Sequence, residues 1–245
     1  MTLAGKRVLI TGGGSGAGAD LARGFAGAGA EVVISGRRAD ALRAVAEPLG
    51  ARWVQADVTD ETSVQRMYEE AGPCDIVIAN AGAADSGAMA RTTLAQWNAM
   101  LAVNLTGVFL TFREALGQFR DEGRLIAVAS TAGLKGYAKV APYAAAKHGV
   151  VGLVRSLALE VARKGITVNA ICPGFLDTPM TDHSVQVIAG KTGKTLSEAR
   201  AVLEGLSPQG RLYQPSEVTA AALYLASGAA SGVNGACLSI SGGEV

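Results

Sequence analysis

The chain has 245 residues, of which 49% are hydrophobic and 18% are charged, a composition that is typical of a folded globular protein and excludes a disordered one. Its formal net charge of +1 gives no electrostatic basis for binding nucleic acid or an anionic membrane. Cys74, Cys172 and Cys237 lack the spacing of a zinc site or a disulfide framework, so we expect reduced thiols, no metal and a cytoplasmic protein.

The N-terminal segment contains one short apolar run, VLI at residues 8–10, which a glycine cluster follows almost at once. This run is too short for a signal peptide or a membrane span. We expect no later window to reach the length of a span either, and therefore predict no membrane segment.

Short aliphatic runs alternate with longer stretches of helical periodicity along the chain. Most of the short runs are apolar on both faces, as in parallel strands that helices cover on both sides. In chain order, the predicted strands span residues 7–10, 31–35, 52–55, 75–79, 124–129, 167–171 and 236–240. Helices are predicted near residues 16–29, 39–49, 61–71, 93–119, 142–164 and 215–227. The alternation predicts a single α/β domain over residues 1–245, with a parallel seven-stranded sheet between two helical layers.

A glycine cluster joins the first predicted strand to the first helix, and it reads Thr11-Gly12-Gly13-Gly14-Ser15-Gly16-Ala17-Gly18. Glycine allows a tight turn and lets backbone amides approach a pyrophosphate, whose charge then faces a helix N-terminus. A strand before the cluster and a helix after it are the context that nucleotide binding requires. We therefore predict a dinucleotide site here rather than a merely flexible turn.

Further polar and glycine motifs stand at the ends of the later strands and in two helices. In chain order they are Asp57-Val58, Asn80-Ala81-Gly82, Asn104, Ser130, Tyr143-xxx-Lys147, and Pro173-Gly174 with Thr178. With the TGxxxGxG spacing of the glycine cluster, these motifs make the chain similar to the short-chain dehydrogenase/reductase family, in its single-domain branch of 3-oxoacyl-(acyl-carrier-protein) reductases. The resemblance covers essentially the whole chain and implies a Rossmann-type doubly wound sheet. The chain departs from the family's usual motifs at two positions: Ala79 stands at the first position of the NNAG motif, and Ala146 stands at the serine of the YxxSK motif. Neither change removes a residue that the chemistry needs.

Tyr143 and Lys147 lie four residues apart in a helical stretch and therefore share one face. A neighbouring ammonium is expected to lower the pKa of the phenol, so that Tyr143 can act as an acid or base near neutral pH. The resemblance implies that Tyr143 exchanges the substrate proton while Ser130 orients the carbonyl. It also implies that Lys147 holds the nicotinamide ribose and that Asn104 anchors a water relay to Lys147.

The resemblance further implies a nicotinamide cofactor, with Asp57 and Val58 at the adenine ring and Thr178 at the carboxamide. The full predicted contact set is Gly12, Gly14, Ser15, Gly16, Ala17, Gly18, Arg37, Arg38, Asp57, Val58, Asn80, Ala81, Gly82, Tyr143, Lys147, Pro173, Gly174 and Thr178.

The end of the second strand indicates which cofactor is bound. An acidic residue at this point would bond the ribose 2′-hydroxyl of NAD, but the chain has Gly36 there. Arg37 and Arg38 follow, and a guanidinium suits a 2′-phosphate. NADP(H) is therefore favoured, with NAD(H) as the alternative if both arginines are merely solvated.

Residues 175–206 interrupt the alternation after the sixth strand, where a substrate lid would lie. The alternative is a plain surface excursion. Its apolar members fit a pocket for a hydrophobic ketone, and they are Phe175, Leu176, Met180 and Val185. Its cations are either solvated or meet the phosphates of a coenzyme A thioester, and they are Lys191, Lys194 and Arg200.

These features predict an oxidoreductase that interconverts a secondary alcohol and a ketone, with a 3-oxoacyl thioester or a cyclic or hydrophobic ketone as substrate. A sugar or polyol dehydrogenase is an alternative, as is a non-catalytic nucleotide-binding regulatory protein on the same fold.

The helices near 93–119 and 142–164 have more apolar positions than one sheet face should cover. By resemblance, they form subunit contacts in a homotetramer.

Overall fold

The computed structural model describes residues 2–119 and 122–245, and this part of the chain forms one parallel sheet of seven strands. The strands lie in the order β3-β2-β1-β4-β5-β6-β7. Their bounds are β1 Arg7–Thr11, β2 Glu31–Gly36, β3 Arg52–Gln55, β4 Ile76–Ala79, β5 Gly123–Val128, β6 Ile166–Pro173 and β7 Cys237–Ile240. The seven predicted strands and the Rossmann-type α/β fold are thus confirmed.

Helices connect the strands and cover both faces of the sheet, because the strands are apolar on both sides. Their bounds are α1 Gly16–Gly27, α2 Ala39–Ala46, α3 Glu61–Ala71, α4 Leu94–Leu101, α5 Gly107–Leu116, α6 Ala141–Val161, α7 Pro179–Thr192, α8 Leu196–Glu204 and α9 Pro215–Ala226. One core cluster joins the sheet to α3, α5 and α6, and the other joins it to α1, α2 and α9. Cys74 and Cys172 are buried free thiols, and Cys237 is half-buried.

The strand order reverses between β1 and β4. β1 pairs with β2 on one side and with β4 on the other, so the connections after β1 and β4 leave toward opposite faces. A crevice opens at such a switch point, outside the carboxyl ends of the strands. The residues that follow β1, β2, β4, β5 and β6 therefore meet at one edge of the sheet.

The helix predicted over residues 93–119 is interrupted. α4 and α5 are separated by a π-helical segment, Ala102–Thr106, which contains Asn104. By length and composition alone, Leu94–Leu116 could cross a membrane, so the expectation that no window reaches that length is wrong. In the fold, the same stretch packs against α3, α6 and β4.

Residues 175–206 are more regular than the sequence suggested. They contain α7 and α8, which pack against each other around a small apolar cluster that includes Val185 and Leu203. A capping box between Thr195 and Glu198 begins α8. This helical pair lies after β6, at the same edge of the sheet as the crevice.

Candidate active site

A cavity of about 750 Å³ runs along the carboxyl edge of the sheet. All of the predicted cofactor and catalytic positions line it. They are Gly12, Gly14, Ser15, Gly16, Ala17, Gly18, Arg37, Arg38, Asp57, Val58, Asn80, Ala81, Gly82, Asn104, Ser130, Tyr143, Lys147, Pro173, Gly174 and Thr178. The fold thus brings together residues that are as much as 166 positions apart, from Gly12 to Thr178.

The glycine cluster forms the floor of one end of the cavity. Gly12 and Gly16 have φ angles of +69° and +52°, a region that side chains other than glycine rarely adopt. A Cβ on Gly18 would lie 2.2 Å from the carbonyl oxygen of Gly12, so only glycine allows α1 to start this close to β1. The backbone cradle and the start of α1 therefore fit a pyrophosphate group.

Thr11 and Asn80 fix the switch point between β1 and β4. The Thr11 hydroxyl accepts hydrogen bonds from the backbone amides of Asn80 and Ala81, each 3.1 Å long. The Asn80 side-chain amide donates in return to the Thr11 carbonyl at 2.9 Å. Asn80 therefore acts on the shape of the crevice by tying the two strand ends together.

The ends of β2 and β3 form the wall that would face an adenosine. Burial raises the pKa of Asp57, but hydrogen bonds from the amide and hydroxyl of Thr59 and the charge of Arg37 outweigh it, so the pKa is lowered. Arg37 and Arg38 are both exposed along this wall. Arg38 donates to the Ser15 hydroxyl at 3.3 Å, so its guanidinium lies beside the glycine cluster.

Asn104 is fully buried in the π-helical segment. Its side-chain amide donates to the carbonyl oxygens of Ala83 at 2.9 Å and Met100 at 3.1 Å, and its Oδ1 accepts from the Ala83 amide at 3.3 Å. Single π turns within helices are frequent at functional sites. Here the π turn directs the Asn104 side chain toward the loop residue Ala83, which follows Gly82.

Tyr143 and Lys147 face the cavity from α6, and Ser130 faces them from the end of β5. The Lys147 ammonium is buried, donates to the Val128 carbonyl at 2.9 Å and lies 5.7 Å from the centre of the Tyr143 ring. Burial lowers the pKa of Lys147 to about 8. Ser130 accepts from the Ala132 amide at 3.1 Å, which fixes its side chain at the cavity wall.

The expected lowering of the pKa of Tyr143 is not found. Burial raises this pKa, and a hydrogen bond with Ser130 offsets only part of the effect. The pKa shows no lowering by Lys147, although the Lys147 ammonium lies 5.7 Å from the centre of the phenol ring. At neutral pH the Tyr143 hydroxyl therefore keeps its proton.

Residues 175–206, the segment predicted to be a substrate lid, supply a largely apolar wall of the cavity. The lining residues of this segment are Phe175, Leu176, Thr178, Pro179, Met180, Thr181, His183, Ser184, Val187, Ile188, Val202, Leu203 and Leu206. Two ties hold the segment: Arg200 pairs with Asp177 at 3.0 Å, and Lys191 donates to the Ser86 carbonyl at 3.3 Å. Lys191, Lys194 and Arg200 lie outside the lining, although the sequence analysis left a substrate contact open for them.

Sequence reasoning missed Tyr137, whose ring also lines the cavity. Its hydroxyl bonds to Thr131 at 2.7 Å and to Glu244 at 2.6 Å. It also missed Lys139, a cavity residue with a φ angle of 68°. Neither residue belongs to a recognisable spacing, and the partner of Tyr137 lies 107 positions away.

Comparisons with known proteins agree with this geometry. The family model described as enoyl-(acyl carrier protein) reductase matches residues 12–244. The chain is 38% identical over 256 residues to the D-beta-hydroxybutyrate dehydrogenase of Cupriavidus necator, with 99% of both chains covered. It is 39% identical over 246 residues to the cis-4-hydroxycyclohexanecarboxylate dehydrogenase of Sinomonas cyclohexanicum, with 96% of this chain and 94% of that one covered.

A solved structure with the same architecture is a variant of the actinorhodin polyketide ketoreductase with NADPH. It superposes with a TM-score of 0.92 at 35% identity, over 98% of this chain and 97% of that one. The matches extend over nearly the whole length and include the glycine cluster, α6 and residues 175–206. The chain therefore belongs to the short-chain dehydrogenase/reductase family and is a nicotinamide-dependent oxidoreductase that interconverts a secondary alcohol and a ketone.

Proposed function

We propose that this enzyme reduces cyclic or otherwise hydrophobic ketones with NADPH, using Tyr143 as the proton donor. The observation that carries the proposal is the position of Tyr143. Its side chain lines the same cavity as Ser130, the glycine cluster and the apolar side chains of residues 175–206. A carbonyl held at this point would meet a proton donor on one side and the cofactor cradle on the other.

The raised pKa of Tyr143 keeps its hydroxyl in the protonated form that ketone reduction needs. Ketone reduction needs a proton for the developing alkoxide oxygen, and a phenol that stays neutral at pH 7 can supply it. The nicotinamide, when bound, supplies the hydride to the carbonyl carbon. Ser130 would donate a second hydrogen bond to the same oxygen and so orient the carbonyl toward Tyr143.

Lys147 would position the cofactor. An ammonium has three donors, and one of them is used on Val128, so the others can bond the hydroxyls of the nicotinamide ribose. Asn104 would hold a water that reaches Lys147. The Oδ1 of Asn104 and the Nζ of Lys147 lie 2.9 Å and 3.9 Å from the point where a Cβ on Gly82 would stand, and the glycine leaves this space open.

NADP(H) is the proposed cofactor because the adenosine wall carries two guanidinium groups and Gly36 offers no carboxylate at the end of β2. Arg38 reaches the loop at Ser15, and Arg37 lies near Asp57. A 2′-phosphate between them would gain charge-assisted hydrogen bonds. NADPH in the related ketoreductase supports the same choice.

The lid wall supports the substrate class. A sugar or polyol would need several polar partners, whereas the wall presents mainly aliphatic side chains. A related enzyme is named for a hydroxycyclohexane substrate, and the related ketoreductase is named for polyketides. A cyclic ketone is therefore the first proposal and a 3-oxoacyl thioester the second, with residues 175–206 as the lid that covers either one.

We also propose a homotetramer in the cytoplasm. Leu94, Phe109 and Leu159 are 74%, 42% and 83% exposed on α4, α5 and α6, as expected where helices of a second subunit pack. The free buried thiols fit a reducing compartment. Light scattering of the purified protein and of Leu159→Glu tests the assembly: the wild type should have four times the mass of one chain, and the variant should be smaller.

The activity is tested with the purified enzyme, NADPH and three groups of substrates: 2-tetralone and 4-oxocyclohexanecarboxylate, acetoacetyl-coenzyme A, and gluconate with xylitol in the oxidative direction. The loss of NADPH absorbance reports reduction. We expect the cyclic ketones to have the highest kcat/KM. Turnover of the polyols alone would contradict the proposed substrate class, and no turnover by any substrate would favour the non-catalytic alternative.

A further inference from the structure

Glu244 stands out among the acidic residues because its side chain is only 6% exposed. Its Oε1 accepts a hydrogen bond from the Tyr137 hydroxyl at 2.6 Å and forms an ion pair with the Lys135 ammonium at 2.9 Å. The Lys135 ammonium also lies 5.0 Å from the centre of the Tyr137 ring. The carboxylate is therefore held by two groups of the loop at residues 130–137, which is part of the connection between β5 and α6.

The hydrogen-bond directions in this network follow from the donors present. A carboxylate can only accept, so Tyr137 must donate its single hydroxyl proton to Glu244. The buried Thr131 hydroxyl, 2.7 Å away, then donates to the Tyr137 oxygen. Thr131 follows Ser130 directly in the chain. The 130–137 loop is thus held near both of its ends. Glu244 bonds Tyr137 at one end, and Tyr137 bonds Thr131, which is next to the proposed catalytic Ser130, at the other.

Of the residues in this network, Tyr137 and Thr131 line the cavity, whereas Glu244 and Lys135 are outside its lining. Burial and the hydrogen bond with Glu244 both raise the pKa of Tyr137, so the phenol stays neutral and keeps its proton for the carboxylate. The Tyr137 ring therefore presents a fixed face to whatever occupies the cavity between Tyr143 and the lid.

We propose that Glu244 is a positioning residue for the substrate pocket, which locks the Tyr137 ring against the bound ketone through a shared hydrogen bond. The inference rests on the proposed ketone reductase function and adds a determinant of substrate affinity to it. Glu244 lies outside the cavity lining and acts through Tyr137. Its loss should therefore weaken ketone binding and leave the cofactor affinity and the proton donor intact.

The test compares Glu244→Leu, which removes the acceptor, with Tyr137→Phe, the double variant and a control, Glu47→Leu. Glu47 is exposed at the end of α2 and outside the cavity lining, so its substitution matches only the change of residue type. With 2-tetralone and NADPH, we expect the KM for the ketone to rise about ten-fold in each single variant. The KM for NADPH and kcat should stay within about three-fold of the wild type.

The double variant separates a positioning role from general stabilisation. If Glu244 acts through Tyr137, the double variant has the same KM as either single variant, since the shared hydrogen bond can be lost only once. Multiplying effects, or an unchanged ketone KM in Glu244→Leu, would overturn the proposal. So would equal increases of the KM values for ketone and NADPH.

Hydrogen exchange gives a readout that does not need turnover. The amides of residues 131–137 should exchange faster in Glu244→Leu than in the wild type, and those of the glycine cluster should not change. Equal exchange of residues 131–137 in both proteins would contradict the inference. If the wild type reduces no ketone at all, the proposed function is wrong, and the exchange data still decide whether Glu244 holds the loop.

Discussion

The ammonium of Lys147 donates a hydrogen bond to the carbonyl oxygen of Val128, two residues before Ser130. This bond ties α6 to the carboxyl end of β5, so the helix that carries Tyr143 and the strand end that carries Ser130 share one fixed geometry. The ammonium is buried in doing so, and burial lowers its pKa to about 8. Burying this ammonium lowers the free energy of unfolding by an amount that depends on pH.

The first prediction concerns that cost. The pKa of Lys147 falls from 10.5 to about 8 on folding, so the unfolded chain binds this proton more tightly than the folded one. Stability from this group therefore rises with pH between these two values. Relative to Lys147→Met, the free energy of unfolding of the cofactor-free wild type should be about 2 kcal/mol higher at about pH 9.5 than at about pH 7.5. Urea unfolding of both proteins measures this, and a pH-independent difference would contradict it.

Tyr143→Phe removes the proposed proton donor and keeps the ring. We expect kcat for ketone reduction to fall by about two to four orders of magnitude, with NADPH affinity nearly unchanged. The matched control is Tyr224→Phe, a change on the exposed face of α9, outside the cavity lining. Steady-state kinetics and fluorescence titration of NADPH measure both effects. Turnover retained by Tyr143→Phe would refute the mechanism.

Cofactor choice depends on the wall formed by the end of β2. We expect kcat/KM to favour NADPH over NADH by about ten-fold or more, because a partly desolvated charge-assisted pair contributes at least ~1.4 kcal/mol. Gly36→Asp combined with Arg37→Ile should reverse the preference. Arg38→Gln alone should reduce it, since Arg38 reaches toward Ser15. Kinetics at fixed ionic strength decide, and a wild-type preference for NADH would show that both arginines are only solvated.

Two glycines of α1 form a matched pair for stability. A Cβ on Gly18 would stand 2.2 Å from a backbone oxygen, whereas one on Gly27 would meet no atom within 4 Å. Gly18→Ala should therefore destabilise the protein by about 2 kcal/mol or more and weaken NADPH binding. Gly27→Ala should stabilise it by about 0.5–1 kcal/mol. Thermal unfolding of the two variants checks both signs, and similar melting temperatures would count against the close approach at Gly18.

The strands were predicted well because they depend on local apolar runs, and the cavity residues because short motifs carry the family resemblance that named them. The apolar runs determine the strands, and the carboxyl ends of parallel strands must meet at one edge. Features that depend on tertiary contacts were missed. The pKa of Tyr143 depends on burial, which the spacing to Lys147 does not report, and the partner of Tyr137 is remote in sequence. The π-helical segment at Asn104 has no signal in the apolar periodicity.

That segment has a consequence for how the chain tolerates insertions and deletions. A π turn holds one residue more than an α turn, so the residues before and after Ala102–Thr106 are out of phase with one another. Deleting Val103 would restore a regular helix from α4 to α5, and both helices could keep their packing against α6 and α3. The same deletion would rotate Asn104 away from Ala83. A deletion of this one residue would therefore make the helix more regular and at the same time disrupt the active site.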